Sequence, residues 1–82
     1  MTYIATFYSH FGAMRYDILC RDAGIESRTM PVPRDLSSSC GTCVRCEDRW
    51  LKPASEAADE LERIVQYSDG QYIAVYTPDM EN

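Results

Sequence analysis

The apolar positions of this chain change period several times, and each change marks an element. Tyr3 to Tyr8 is short, aromatic and β-favouring, which predicts a first strand. Ser9 follows as a candidate N-cap. From His10 to Ala23 the period becomes helical: Ala13, Tyr16, Leu19, Cys20 and Ala23 share a broad face with Gly12 beside them. Arg15, Asp17, Arg21 and Asp22 lie around the other side, and Phe11, Met14 and Ile18 form a second, narrower apolar strip. Gly24 is a stop signal. Ile25 to Met30 reads as a moderately polar edge strand. Thr42 to Glu47 alternates, with Thr42, Val44 and Cys46 on one face and Cys43, Arg45 and Glu47 on the other; Val44 points inward. Asp48 to Pro53 is a connector. Ala54, Ala57, Ala58, Leu61, Ile64 and Val65 then form one stripe, which predicts a second helix over 54–67 behind Pro53. Ser68-Asp69-Gly70 is a turn, Gln71 to Tyr76 a last strand, and Pro78 to Asn82 a frayed polar tail.

The resulting order, β-α-β-β-α-β, is that of the ferredoxin-like α+β fold: a single domain over 1–82, with a four-stranded antiparallel sheet and two helices on one face. The strand order expected is 4-1-3-2. The uncovered face would carry Tyr72 and Tyr76 with residues of the first strand, a candidate homodimer surface.

The composition narrows the class of function. At 82 residues the core is small. A net charge of −5 argues against nucleic acid or an anionic membrane as main partner. The N-terminal residues have neither a basic region nor a long apolar run, so neither a signal peptide nor a membrane span is expected, and a cytoplasmic location follows. Cysteines clustered in a reducing compartment read as redox, sulfur-handling or metal-binding groups.

Three of the four cysteines fall in the segment 40–46 as C-x2-C-x2-C. Pro31, Pro33 and the run Ser37–Ser39 exclude a helix before Cys40 and favour a constrained loop. Gly41 permits positive φ and close approach to the backbone. In the expected topology this loop lies at the carboxyl end of the first strand, beside the N-terminus of the first helix near Ser9 to Gly12. Free N–H groups there, with His10 and Arg34 as nearby cations, favour a thiolate, so Cys40 is expected to be the most reactive thiol and to titrate below an ordinary one. Cys20, on the helix's broad face, is expected to be buried and inert. A C-x2-C pairing of Cys40 with Cys43 would be a dithiol redox motif. Cys40, Cys43 and Cys46 form a partial iron–sulfur or zinc signature, but the bacterial cluster run continues with a further Cys and Pro, where this chain has Glu47-Asp48-Arg49. A strand over 42–47 would also point Cys43 and Cys46 to opposite faces.

Tyr-Ile-Ala-Thr-Phe at 3–7, Ala13-Met14, Ala23-Gly24-Ile25 and, above all, Pro31-Val32-Pro33-Arg34 followed by Leu36-Ser37-Ser38 and Cys40-Gly41 resemble a family of small selenium/sulfur carrier-like proteins, over most of the chain from Tyr3 to about Tyr76. The resemblance implies that Cys40 is the Cys of the family's Cys-Gly pair. The chain departs from the family in having Cys43 and Cys46, where apolar strand residues are usual. The leading reading is a carrier without a cofactor, rather than an enzyme: Cys40 takes up a sulfane sulfur or selenium and passes it to a sulfur- or selenium-handling partner protein, with Gly41, Arg34, Ser9, His10 and Cys43 around it. The alternatives are an iron–sulfur or zinc module on Cys40, Cys43 and Cys46, a dithiol redox protein on Cys40 and Cys43, and a structural adaptor.

Overall fold

Four buried residues in a row, Ile4 to Phe7, mark β1 (Thr2–Phe7) as a strand covered on both faces. A computed structural model of the chain describes residues 1–54 and 56–81. Ser55 of the expected second helix and Asn82 of the expected tail lie outside them. Ser9 caps α1 (His10–Asp22), its extended backbone letting Oγ accept the Gly12 N–H at 3.0 Å. Gly24, at φ +80°, takes the left-handed position that ends the helix.

The buried side of α1 is Gly12, Ala13, Tyr16, Asp17 and Cys20. It is rotated from the expected face: Leu19 and Ala23 are exposed, and Asp17 is buried. Asp17 tolerates burial because the Ser27 hydroxyl donates to it at 2.7 Å and Arg21 lies 3.1 Å away. The strip Phe11, Met14 and Ile18 is exposed.

β2 (Ser27–Pro31) is an edge strand, as its polarity predicts, and β3 (Thr42–Glu47) has the expected bounds. β3 lies between β1 and β2 and is antiparallel to both. Val44 and Cys46 face α1, whereas Cys43 faces the other side.

The second half departs from the expected four-stranded, two-helix arrangement. Among the described residues of the region predicted for the second helix, only Glu56–Asp59 is helical (α2), and residues Leu61–Ser68 are a strand, β4. The sheet therefore has five strands, all antiparallel, in the order β2-β3-β1-β4-β5. β4 occupies the place beside β1 expected for the last strand, and β5 (Gln71–Tyr76) moves to the edge. The pairing of β4 with β1 contains a β-bulge. Thr6 pairs with Arg63 and Phe7 with Leu61, so Glu62 is the extra residue. The bulge puts Leu61 and Ile64, three apart, on the same face of a strand, and that spacing imitates one turn of helix. A second shift pairs Ile64 with Tyr76 and Val65 with Ala74, skipping Val75. Tyr76 thus packs under α1 with Trp50, while Tyr72 lies on the opposite face. The two tyrosines expected to share a face are on different ones. Asp69 and Gly70, both at positive φ, close the β4–β5 hairpin. The expected frayed tail is a 3-10 turn over Pro78–Glu81.

The sheet has a core on each side. On the α1 side are Ala5, Phe7, Tyr16, Cys20, Val44, Cys46, Leu61 and Ile64; on the other are Ile4, Leu36, Cys43 and Val65. Among the described residues no helix is long and apolar enough to cross a membrane.

Candidate functional site

The loop from β2 to β3 is closed at its base by the Val32 N–H donating to Gly41 O at 3.0 Å. Pro33 and Leu36 make a tight turn, which seats the Leu36 side chain against Ile4, Cys43 and Val65. Beyond Leu36 the chain runs back over β4. The Arg63 guanidinium donates to Ser37 O, and the Ser38 hydroxyl reaches Phe7 O at 3.3 Å at the carboxyl end of β1. The Glu62 carboxylate then accepts from the Ser38 hydroxyl at 3.0 Å, the Ser39 N–H at 3.3 Å and the Ser39 hydroxyl at 2.7 Å. Burial alone would raise the Glu62 pKa, but these three donors and the charge of Arg63 outweigh it and hold the carboxyl below the usual range. The serines therefore tie the loop to the bulge of β4. Glu62 can do this because, as the extra residue of the bulge, it is released from the alternation of the strand.

Cys40 follows, half-buried at the end of this clamped segment. Its Sγ lies 3.4 Å from the Thr42 N–H and 3.3 Å from Thr42 O. Gly41 has φ +81°, and a Cβ there would meet nothing within 4 Å. Glycine is thus required for the backbone turn, and the side of the loop it exposes is open. His10, at the start of α1, has Nδ1 2.6 Å from Thr42 Oγ1. The loop and the N-terminus of α1 are therefore neighbours, as the topology predicts. The anion held at that terminus, however, is a carboxylate of the chain itself. Glu60 accepts from Ser9 Oγ at 2.6 Å and lies so close to Gly12 that a Cβ there would collide with it. Arg15, 3.9 Å from Glu60, and Glu56 complete this cluster.

Ser9, His10, Cys40 and Gly41 thus come together at one end of the sheet. Arg34 is exposed in the turn that seats Leu36 on the far face. Cys43 also belongs to that face. Its burial, with a smaller contribution from the charge of Cys40, pushes its thiol up to about 11. Cys46 points the opposite way, under α1, where its Sγ lies 3.8 Å from that of Cys20. Cys40, Cys43 and Cys46 do not converge, and among the described residues no group of three or more His, Cys, Asp or Glu is placed to hold a metal ion.

Glu62 escaped the sequence reading because a helix was expected there. The Asp69-Gly70 pair, flanked by β-favouring residues, was the available signal for a hairpin reaching back over 61–68. The contact between Cys20 and Cys46 carries no sequence signal.

A protein-family model described as "Putative Se/S carrier protein-like" matches residues 2–77, which include every residue of the loop and its clamp. No curated protein and no solved structure matched the chain.

Proposed function

Because the chain belongs to the Se/S carrier protein-like family, we propose that Cys40 is the atom-carrying group, and that the protein takes up a sulfane sulfur, or selenium in the same oxidation state, and delivers it to a partner protein. One observation carries this reading: of the four cysteines, all free, Cys40 alone is not buried. A carrier needs a thiol that a partner's active site can reach, held on a loop that is fixed at its base and open at its tip. The clamp by Glu62 and the open side at Gly41 supply both conditions.

The transfer needs no cofactor. The Cys40 thiolate attacks the outer sulfur of a persulfide on the donor; the S–S bond of the donor breaks, its thiolate leaves, and Cys40 becomes the persulfide. Delivery is the same exchange with an acceptor thiolate. The Thr42 N–H beside Sγ is a donor for the anion before attack. The His10 imidazole rests on Thr42 at the mouth of the loop.

Incubation with inorganic polysulfide, followed by mass spectrometry, tests the reading. The segment containing Cys40 should gain the mass of one sulfur atom, lose it on treatment with a thiol reductant, and gain nothing in the C40S variant. Sulfur appearing first on Cys43, Cys20 or Cys46 would overturn the assignment.

A further inference from the structure

Cys20 and Cys46 face each other inside the α1-side core, at 0% and 1% exposure. Their sulfurs are 3.8 Å apart although the residues are 26 apart in sequence. Tyr16 stands beside Cys20, and its hydroxyl is fixed by Leu51, donating to the carbonyl at 2.6 Å and accepting the N–H at 3.0 Å. The cover over the pair is therefore the segment around Trp50 and Leu51, which belongs to no helix or strand. We propose that Cys20 and Cys46 are a reversible redox site, which a hydroperoxide converts to a disulfide that ties α1 to β3.

The sulfurs must close from 3.8 Å to the ~2.05 Å of a disulfide. The two sulfurs lie within hydrogen-bonding distance, and either can donate. The hydrogen bond from Cys46 favours the ionised form of Cys20, while that same bond, with burial next, keeps Cys46 protonated. Cys20 is thus the nucleophile. Its thiolate attacks one oxygen of the peroxide, the O–O bond breaks, and hydroxide leaves. The sulfenic acid on Cys20 is then attacked by the Cys46 sulfur, water leaves, and the S–S bond forms. In total two thiols lose two electrons and two protons, and one hydrogen peroxide becomes two waters. The small oxidant reaches the pair when the segment over it opens, which it can do without breaking sheet hydrogen bonds. The consequence is mechanical. α1 reaches the Cys40 loop through His10, and β3 begins at Thr42, so the bridge fixes the two elements that flank the loop.

The proposal is independent of sulfur carriage by Cys40. Cleavage after arginine separates the candidates: Cys20 falls on 16–21, Cys46 on 46–49, and Cys40 with Cys43 on 35–45. The full chain and its C40S variant are treated with hydrogen peroxide, unfolded in an alkylating denaturant and cleaved. The expected result in both is a linked pair 16–21/46–49 lacking two hydrogens, restored to free thiols by a reductant, with a melting temperature raised by roughly 10 °C. Alkylation of both Cys20 and Cys46 after peroxide, or a bridge engaging Cys40 or Cys43 instead, would overturn it. Bridge formation in C40S, which cannot carry sulfur, separates the fate of this proposal from that of the carrier reading.

Discussion

Two residues separate Cys40 from Cys43, yet one reaches the surface and the other is wholly buried against Ile4, Leu36 and Val65. A thiol raised to about 11 is almost entirely protonated at neutral pH and is a weak nucleophile. Under limiting iodoacetamide at pH 7.5 (a condition we choose, roughly one unit below the free-thiol pKa), Cys40 should label first, and Cys43, Cys20 and Cys46 far more slowly, as local opening exposes them; equal labelling of Cys40 and Cys43 would contradict the burial argument. Glu62 sets the second expectation at this scale. Glu62→Gln keeps one accepting oxygen but removes the charge, and should cost about 1 kcal/mol, the partly exposed site limiting the loss. Its signature is local: faster amide exchange at Ser39, with protection in β1 and β3 unchanged. The accessibility of Cys40 was legible from Pro31, Pro33 and the serines, because those residues restrict their own backbone whatever surrounds them. The role of Glu62 was not, because it depends on which strand lies beside the loop.

At the scale of elements, α1 and β3 follow local rules and β4 does not. Ser9 and Gly24 bound α1 by hydrogen bonding and backbone conformation that the helix itself demands. β4 has Leu61, Ile64 and Val65 in helical spacing, and two register shifts turn that spacing to the use of a strand. Ile64→Ala should therefore cost about 3 kcal/mol, as a fully buried aliphatic in a central strand, whereas Gln66→Ala should stay within about 0.5 kcal/mol. Chemical denaturation of the two variants checks this; a small loss at Ile64 would argue against a packed strand. Gly41→Ala, at φ +81° with open space around it, isolates backbone strain from crowding and should cost roughly 1–2 kcal/mol.

Over the whole molecule, stability should fall at both ends of the pH scale. Glu47 is held below the usual carboxylate range chiefly by Arg45 Nε at 2.6 Å, and Glu62 by the serine donors and Arg63 once these have overcome the cost of its burial. The unfolded chain therefore binds protons first. The contribution of both groups is complete above about pH 4.3 and is lost as pH drops through their folded values. Cys43 acts in the opposite sense. Its raised pKa contributes fully below the free-thiol value near 8.5, and that contribution, roughly 3 kcal/mol, is lost as pH rises toward about 11. Melting temperatures measured from pH 3 to 11 should show both declines (the range is set to bracket these values to about a unit). A Cys43→Val variant should lose the part of the alkaline decline that belongs to Cys43, and an unchanged slope would refute the assignment.

What this chain settles by sequence alone is local: the cap at Ser9, the stop at Gly24, the bounds and facing of β3, the constrained loop before Cys40, and the family to which these residues belong. Each depends on a residue's own conformational limits or on alternation within a few positions. What only the tertiary structure decides is the fifth strand, the separation of Tyr72 from Tyr76, the clamp of Glu62 on the loop, and the contact of Cys20 with Cys46. These depend on which strand pairs with β1 and in what register. An extra residue in a ladder reverses the facing of everything beyond it, so a stripe written for a helix can be spent on a bulged strand, and only the completed pairing distinguishes them.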